Sequence, residues 1–309
     1  MTAHRRPAAA LAALLAILAA GCGTGPATSD GPSVAATTTQ LGDLARAVAG
    51  SRATVRQILE PSSDPHAYEP RPSDVKAVGA ASVVVRSGGE LDGWLGDVLR
   101  NAGTDARTAT ILDDLPVVRR DGDRIDPHWW QDPRNAEIAL RKIRDLLVEA
   151  DPAGRTTYDA NAARYLARLY ALDRAIARCM RAIPARERKL VTDHDALGYY
   201  ADRYGIEVVG TVIPASSTQA QASAGEVVRL ARTIRAEGVS TVFPESSVNP
   251  KLTRAIAREA GARTGPALYA DSLGAKGSAG ATYLGALRAN TLALVAGFTD
   301  GRARCALPG

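Results

Sequence analysis

From residue 33 onward, short apolar runs alternate with longer segments of helical period. Residues 33–38 and 54–59 read as strands around a helix at 41–49. The Val-rich run at 82–86 suits a strand covered on both faces, as in a parallel sheet. A helix at 94–101 and a fourth strand at 109–112 follow. Across 133–150, Ala136, Leu140, Ile143 and Leu147 fall on one helix face. The pattern restarts at Leu190, with strands expected at 190–192, 208–212, 241–243 and 267–269. The matching helices are expected at 196–204, 224–236, 250–260 and 282–296. This alternation implies an α/β fold with parallel sheets covered by helices.

Between the halves, residues 152–182 hold no Pro or Gly beyond Pro152 and Gly154. Tyr158, Tyr165, Leu166, Leu169, Leu172 and Ile176 recur there at helical spacing. At 1.5 Å per residue the segment makes one stiff helix of about 45 Å, long enough to run along both lobes. The organisation expected is a signal peptide at 1–21, a tether at 22–33, an N-terminal β/α lobe at 34–150, a linking helix at 151–183 and a C-terminal β/α lobe at 184–309.

The first residues are set apart from the fold. His4, Arg5 and Arg6 precede an Ala- and Leu-rich run that is short for a bilayer span, as in a signal peptide. It ends at Leu18-Ala19-Ala20-Gly21-Cys22, small residues before a Cys, resembling a bacterial lipobox in which Cys22 would be acylated. The Gly-, Ser-, Thr- and Pro-rich stretch after it suits a flexible tether. The expectation is export and lipid anchoring on the outer face of the cell membrane; the alternative is a plain signal peptide cleaved near Ala20, with Cys22 incidental and the protein periplasmic.

Composition narrows the function classes. With 46% hydrophobic and 23% charged residues the chain is globular. Net charge is +5, but the excess is scattered Arg with five Lys and no basic run, and aromatics are only 5%. Nucleic acid is therefore not an expected partner.

Three His lie beyond the signal peptide, each in a polar loop beside acids: Asp64-Pro65-His66, Asp126-Pro127-His128 and Asp193-His194-Asp195. Pro fixes its own φ and extends the residue before it, holding each imidazole on a loop. His66 and His194 follow strands of different lobes, where open α/β folds bind ligands. Three imidazoles offered to one cleft point to a transition metal, although spacings of 62 and 66 residues match no local metal motif.

Five motifs in order then carry a resemblance: Asp64 to Pro70 followed by Pro72-Ser73-Asp74; Ser87 to Leu95; Asp126 to Pro133; Thr192 to Tyr200; and Leu268 to Gly274. The chain resembles the metal-binding subunits of bacterial zinc and manganese ABC importers, a family that includes zinc-uptake binding proteins and streptococcal lipoprotein adhesins. The resemblance implies two β/α lobes with four-stranded parallel sheets, joined by one long rigid helix around a metal cleft. It implies His66, His128, His194 and Asp271 as the four ligands, two from each lobe. Asp271 also directly follows an apolar strand. The partners implied are a permease and its ATPase, a membrane reached through the anchor, and a monomeric protein.

The chain departs from the family at two places. The stretch 117–126 carries Arg119, Arg120 and Arg124 but none of the His of a zinc-collecting loop, so a metallochaperone is a candidate loader. Ser87 stands where Asn is common, and only a loop hydrogen bond is expected to differ. Glu245 follows a strand and reads as a helix-capping or loop-bracing acid, a ligand lining the cleft being the alternative; Glu69 reads as either a partner of a His N–H or a solvated acid, and Trp129 and Trp130 as cleft shields that pack the lobes. In an oxidising compartment Cys179 and Cys305 are expected to pair, two separately buried thiols being the alternative.

A non-enzymatic receptor for Zn2+ is the function expected, with Mn2+ the alternative cargo. A surface adhesin would need no metal cleft. A zinc-dependent hydrolase is the enzymatic alternative, but it would keep one coordination position open for water. The chain has no His-Glu-x-x-His and no Gly-x-Ser-x-Gly.

Overall fold

The computed structural model describes residues 1–2, 31–213 and 215–309; the signal peptide beyond its first two residues, most of the tether and Cys22 lie outside the described residues. The N-terminal lobe runs β1 (Ser33–Ala36), α1 (Thr39–Ala49), β2 (Thr54–Gln57), α2 (Pro72–Gly79), β3 (Val83–Arg86), α3 (Leu95–Ala102) and β4 (Arg107–Thr110). A small hairpin, β5 (Arg120–Asp121) and β6 (Arg124–Ile125), precedes α4 (Pro133–Ala150). The long α5 (Arg155–Arg181) leads to the C-terminal lobe: β7 (Lys189–Thr192), α6 (Gly198–Tyr204), β8 (Glu207–Thr211), α7 (Ala224–Ala236), β9 (Thr241–Val242), α8 (Lys251–Ala260), β10 (Arg263–Thr264) and α9 (Tyr283–Phe298).

The first sheet is parallel, in the order β2-β1-β3-β4. Its Val run is buried because both faces are covered. Val83 and Val85 point into the main core with Leu41, Leu44 and Leu140, while Val84 points to Val78, Leu95 and Val98 on the other face. The second sheet is less regular than a continuous four-stranded ladder. β7 pairs with β8 and β9 with β10, and the two pairs meet through single bridges, Thr192 to Phe243 and Glu245 to Leu268.

Two strands sit elsewhere than the hydrophobic pattern indicates. β4 is two residues early, and Ile111–Asp114 forms a 3-10 turn. Residues 267–269 form no regular ladder beyond the Leu268 bridge: donors to the β9 segment alternate through Arg263 and Gly265, and the next is Leu268 instead of Ala267, so the register slips by one residue after β10. The hairpin and α2 are additional. Asp74 begins α2 by accepting from the Arg71 N–H at 2.7 Å, an N-terminal bond that short polar sequence hides.

α5 has 27 residues, about 40 Å, and packs on α1 and α4 in one lobe and on α6 and α9 in the other. Cys179 near its end is joined to Cys305, with Cα atoms 5.7 Å apart. The chain-entropy model assigns closure of this 126-residue separation about 4–5 kcal/mol.

Each sheet reverses its strand order once, between β1 and β3 and between β7 and β9. The crevices outside those switch points face one another, and there the lobes touch. Trp130 Nε1 and Gln131 Nε2 both donate to the Ala270 carbonyl, at 2.8 and 2.7 Å. Gln40 Nε2 donates to the Asp271 carbonyl at 2.9 Å, and the Leu273 N–H to Thr39 Oγ1 at 2.9 Å. The loop carrying Asp271 is thus bonded to the opposite lobe.

Candidate metal centre

The two Asp-Pro-His sequences fold alike. Asp64 Oδ1 accepts from the backbone N–H of His66 at 2.9 Å, and Asp126 Oδ1 from that of His128 at 3.0 Å. Each acid closes a side-chain turn over the intervening Pro, which fixes where the imidazole points. His194 is held from the other lobe: its backbone N–H donates to Glu245 Oε1 at 3.0 Å.

These turns bring His66, His128, His194 and Asp271 together, with donor atoms all within 4.8 Å of one another. His128 Nε2 lies 3.3 Å from both His66 Nε2 and His194 Nε2. Asp271 Oδ1 lies 3.3 Å from His128 Nε2 and from His194 Nε2, and its Oδ2 is 3.8 Å from His66 Nε2. The side chains of His128, His194 and Asp271 are fully buried, and that of His66 is 5% exposed. Neither Asp271 oxygen receives a hydrogen bond. A buried carboxylate without donors is costly unless a cation meets it.

The far side of two rings is also defined. His128 Nδ1 is 2.8 Å from Asp126 Oδ1. His194 Nδ1 is 2.8 Å from Glu245 Oε2, in an ion-pair contact whose angle lies outside hydrogen-bond geometry. A carboxylate behind Nδ1 keeps the proton there and leaves the Nε2 lone pair facing the cluster.

Over residues 34–297 the chain matches the family described as zinc-uptake complex component A, periplasmic. The chain belongs to this zinc-uptake component A family. It is 32% identical over 294 residues to the manganese-binding lipoprotein MntA of Halalkalibacterium halodurans, covering 93% of this chain and 96% of that one. It is likewise 32% identical over 269 residues to the iron-binding protein YfeA of Yersinia pestis, covering 86% of each. Among solved structures, the periplasmic zinc-binding protein TroA of Treponema pallidum superposes with a TM-score of 0.82 at 26% identity, covering 87% of this chain and 99% of that one.

In this member of the zinc-uptake component A family the cluster has a marked charge pattern. Burial favours neutral His128, but Asp126 and Asp271 outweigh it and raise the imidazole to about 9. Burial is likewise outweighed at His194, where Asp271 and Glu245 hold the ring well above its usual value. Burial dominates at His66, which falls to about 4 against the pull of Asp271. Asp271 would be raised by burial, yet His194 and His128 hold it well below the ordinary carboxylate range. Without metal, the pairing with Asp271 thus favours the charged forms of the carboxylate and of the His128 and His194 rings, while His66 favours the neutral form.

The sign of the pH dependence follows. His128 gains its pairs on folding, so they stabilise the metal-free protein fully below the usual imidazole value of about 6.5, and that contribution disappears as pH rises through about 9. A metal needs the same nitrogens unprotonated, so its affinity moves the other way. We expect zinc affinity, measured by chelator competition at about pH 6, 7.5 and 9, to keep rising across the whole range. A plateau above about 6.5 would show that His128 titrates as a free imidazole.

Other residues have less foreseen positions. Glu245 is 2% exposed and stands behind His194, a role its sequence position after a strand hints at but cannot fix. Glu69 is on the surface, and Asp126 takes the partner role considered for it. Ser87 does more than brace its loop, since its hydroxyl accepts from the buried Trp129 indole at 2.8 Å.

Proposed function

We propose that the chain captures one divalent transition-metal ion outside the cytoplasm, through His66, His128 and His194 Nε2 and the Asp271 carboxylate, and delivers it to an ABC importer. The observation that carries this reading is the pair of Asp271 oxygens, buried, free of hydrogen bonds and facing three imidazoles. A binding role fits better than hydrolysis. Four protein donors close the coordination sphere, and the nearby acids Asp126 and Glu245 are committed to imidazoles rather than free to activate water. The division into lobes at 34–150 and 184–309 around a linking segment at 151–183 belongs to this reading, as does acylation of Cys22, which the relatives named as lipoproteins support. Cys22→Ala should release the protein into the medium; unchanged membrane fractionation would refute the anchor.

Zinc is the preferred cargo in this reading. A tetrahedral ion with bonds of about 2.0–2.1 Å separates its ligands by about 3.3–3.4 Å, and four of the separations here are 3.3 Å. Three nitrogens and one carboxylate also suit zinc, whereas manganese favours more oxygen and higher coordination. Manganese is the second reading. It draws on the relative named for manganese and on both Asp271 oxygens being bare, which permits a two-oxygen grip. A competition titration decides: we expect zinc to outcompete manganese by orders of magnitude, and His194→Glu to narrow the gap by replacing a nitrogen with an oxygen. Equal affinities in the native protein would favour the manganese reading.

A further inference from the structure

The stretch 117–126, devoid of His, does something else in the structure. Asp126 spends one oxygen, Oδ1, on the backbone and ring of His128. Its other oxygen, Oδ2, accepts from Arg119 Nε at 3.2 Å. Arg119 Nη1 donates to Asp202 on α6, in the opposite lobe. The backbone of Arg119 is tied as well: its N–H donates to the Tyr199 hydroxyl at 2.9 Å, and that hydroxyl donates to the Asp126 carbonyl at 3.3 Å. The guanidinium lies 5.8 Å from the centre of the Tyr199 ring. A Cβ on Gly198, the first residue of α6, would come within 2.5 Å of the guanidinium carbon, so glycine there makes room for the arginine. Asp64 shows the same division of labour, with Oδ1 on His66 and Oδ2 accepting from Thr218 of the other lobe at 2.7 Å.

We propose that Arg119 is a positioning residue that couples the lobe contact to His128 through Asp126, and so sets how slowly bound metal leaves. The inference rests on His128 being a ligand. Metal can leave when the His128 ring turns or when the lobes part. Parting the lobes must break the Arg119 fork, whose separate nitrogens hold Asp126 on one side and Asp202 on the other, while turning the ring must break its contact with Asp126 Oδ1, the carboxylate that the fork holds in place. A lysine offers one compact ammonium and cannot span both with fixed geometry. Carboxylates behind metal-bound imidazoles change affinity by roughly 10–100-fold when removed. Arg119 acts one bond further out, so an effect of about tenfold on release is expected.

The test loads the mature chain with zinc alone and follows its release to excess chelator by stopped flow. Arg119→Ala should speed release about tenfold, Arg119→Lys should give an intermediate rate, and Asp202→Asn should speed release by a smaller factor. Arg203→Ala is the control for simple loosening. Arg203 lies on the same helix and bridges Asp132, at 3.4 Å, and Asp173, but does not touch Asp126. It should leave the release rate within about twofold. Unchanged release in Arg119→Ala overturns the proposal, and so does equal acceleration by Arg203→Ala. Should Arg119→Ala not fold, unchanged release in both Arg119→Lys and Asp202→Asn overturns it. A native protein that holds no zinc would instead strike at the ligand assignment itself.

Discussion

Replacing Asp271 by alanine is expected to abolish tight metal binding. Its carboxylate is the one negative ligand among three imidazoles, and its side chain is fully buried. The variant loses a charged ligand and the charge that keeps the site attractive to a dication. The affinity loss should exceed the roughly 100-fold reached by removing a carboxylate behind a ligand. Asp271→Asn separates the two contributions, since it keeps the shape and one weak oxygen donor but not the charge. It should bind more weakly than the native protein and more tightly than Asp271→Ala. Without Asp271, the raised values of His128 and His194 should fall toward neutrality, so less proton is released when metal binds. Chelator competition and calorimetry in buffers of different ionisation enthalpy measure both effects. Binding by Asp271→Ala within about tenfold of native would remove it from the ligand set.

How much of this site the sequence discloses depends on how local each feature is. α4 and α7 have the bounds their apolar period marks, because amphipathic spacing is written in consecutive residues. The Asp-Pro-His turns are equally local: acid, Pro and His supply cap, fixed φ and ligand within three residues. The role of Glu245 is not, since it meets His194 only after β7 and β9 have been laid side by side. Arg119 is hidden for the same reason, its acids lying in two lobes. Strand positions fail where an apolar residue is buried by something other than a ladder. Ile111 and Leu112 are core residues of a 3-10 turn, and nothing in so short a run distinguishes that from a strand.

Trp129→Ala should produce the largest loss of fold stability among single substitutions at the site. The residue follows His128 directly, is 0% exposed, and packs edge-on against Trp130 with ring centres 5.8 Å apart. Truncation leaves a large cavity and removes the indole N–H that Ser87 Oγ accepts. Core aromatic-to-alanine changes cost roughly 3–5 kcal/mol, and the range reflects how far the surroundings can collapse. Collapse is restricted here. Trp130 is pinned by its bond to the Ala270 carbonyl, and the Tyr283 hydroxyl donates to the Trp130 carbonyl at 2.6 Å. The upper half of that range is therefore expected from denaturant unfolding of the metal-free protein. Trp129→Phe retains much of the volume and loses the donor, so it should cost about 1–3 kcal/mol, including the unpaired Ser87 hydroxyl. Metal affinity should fall in Trp129→Ala as well, because the backbone beneath His128 loses its support. A loss below about 1 kcal/mol would mean that the indole is not part of the packed core and that the His128 turn is held by Asp126 alone.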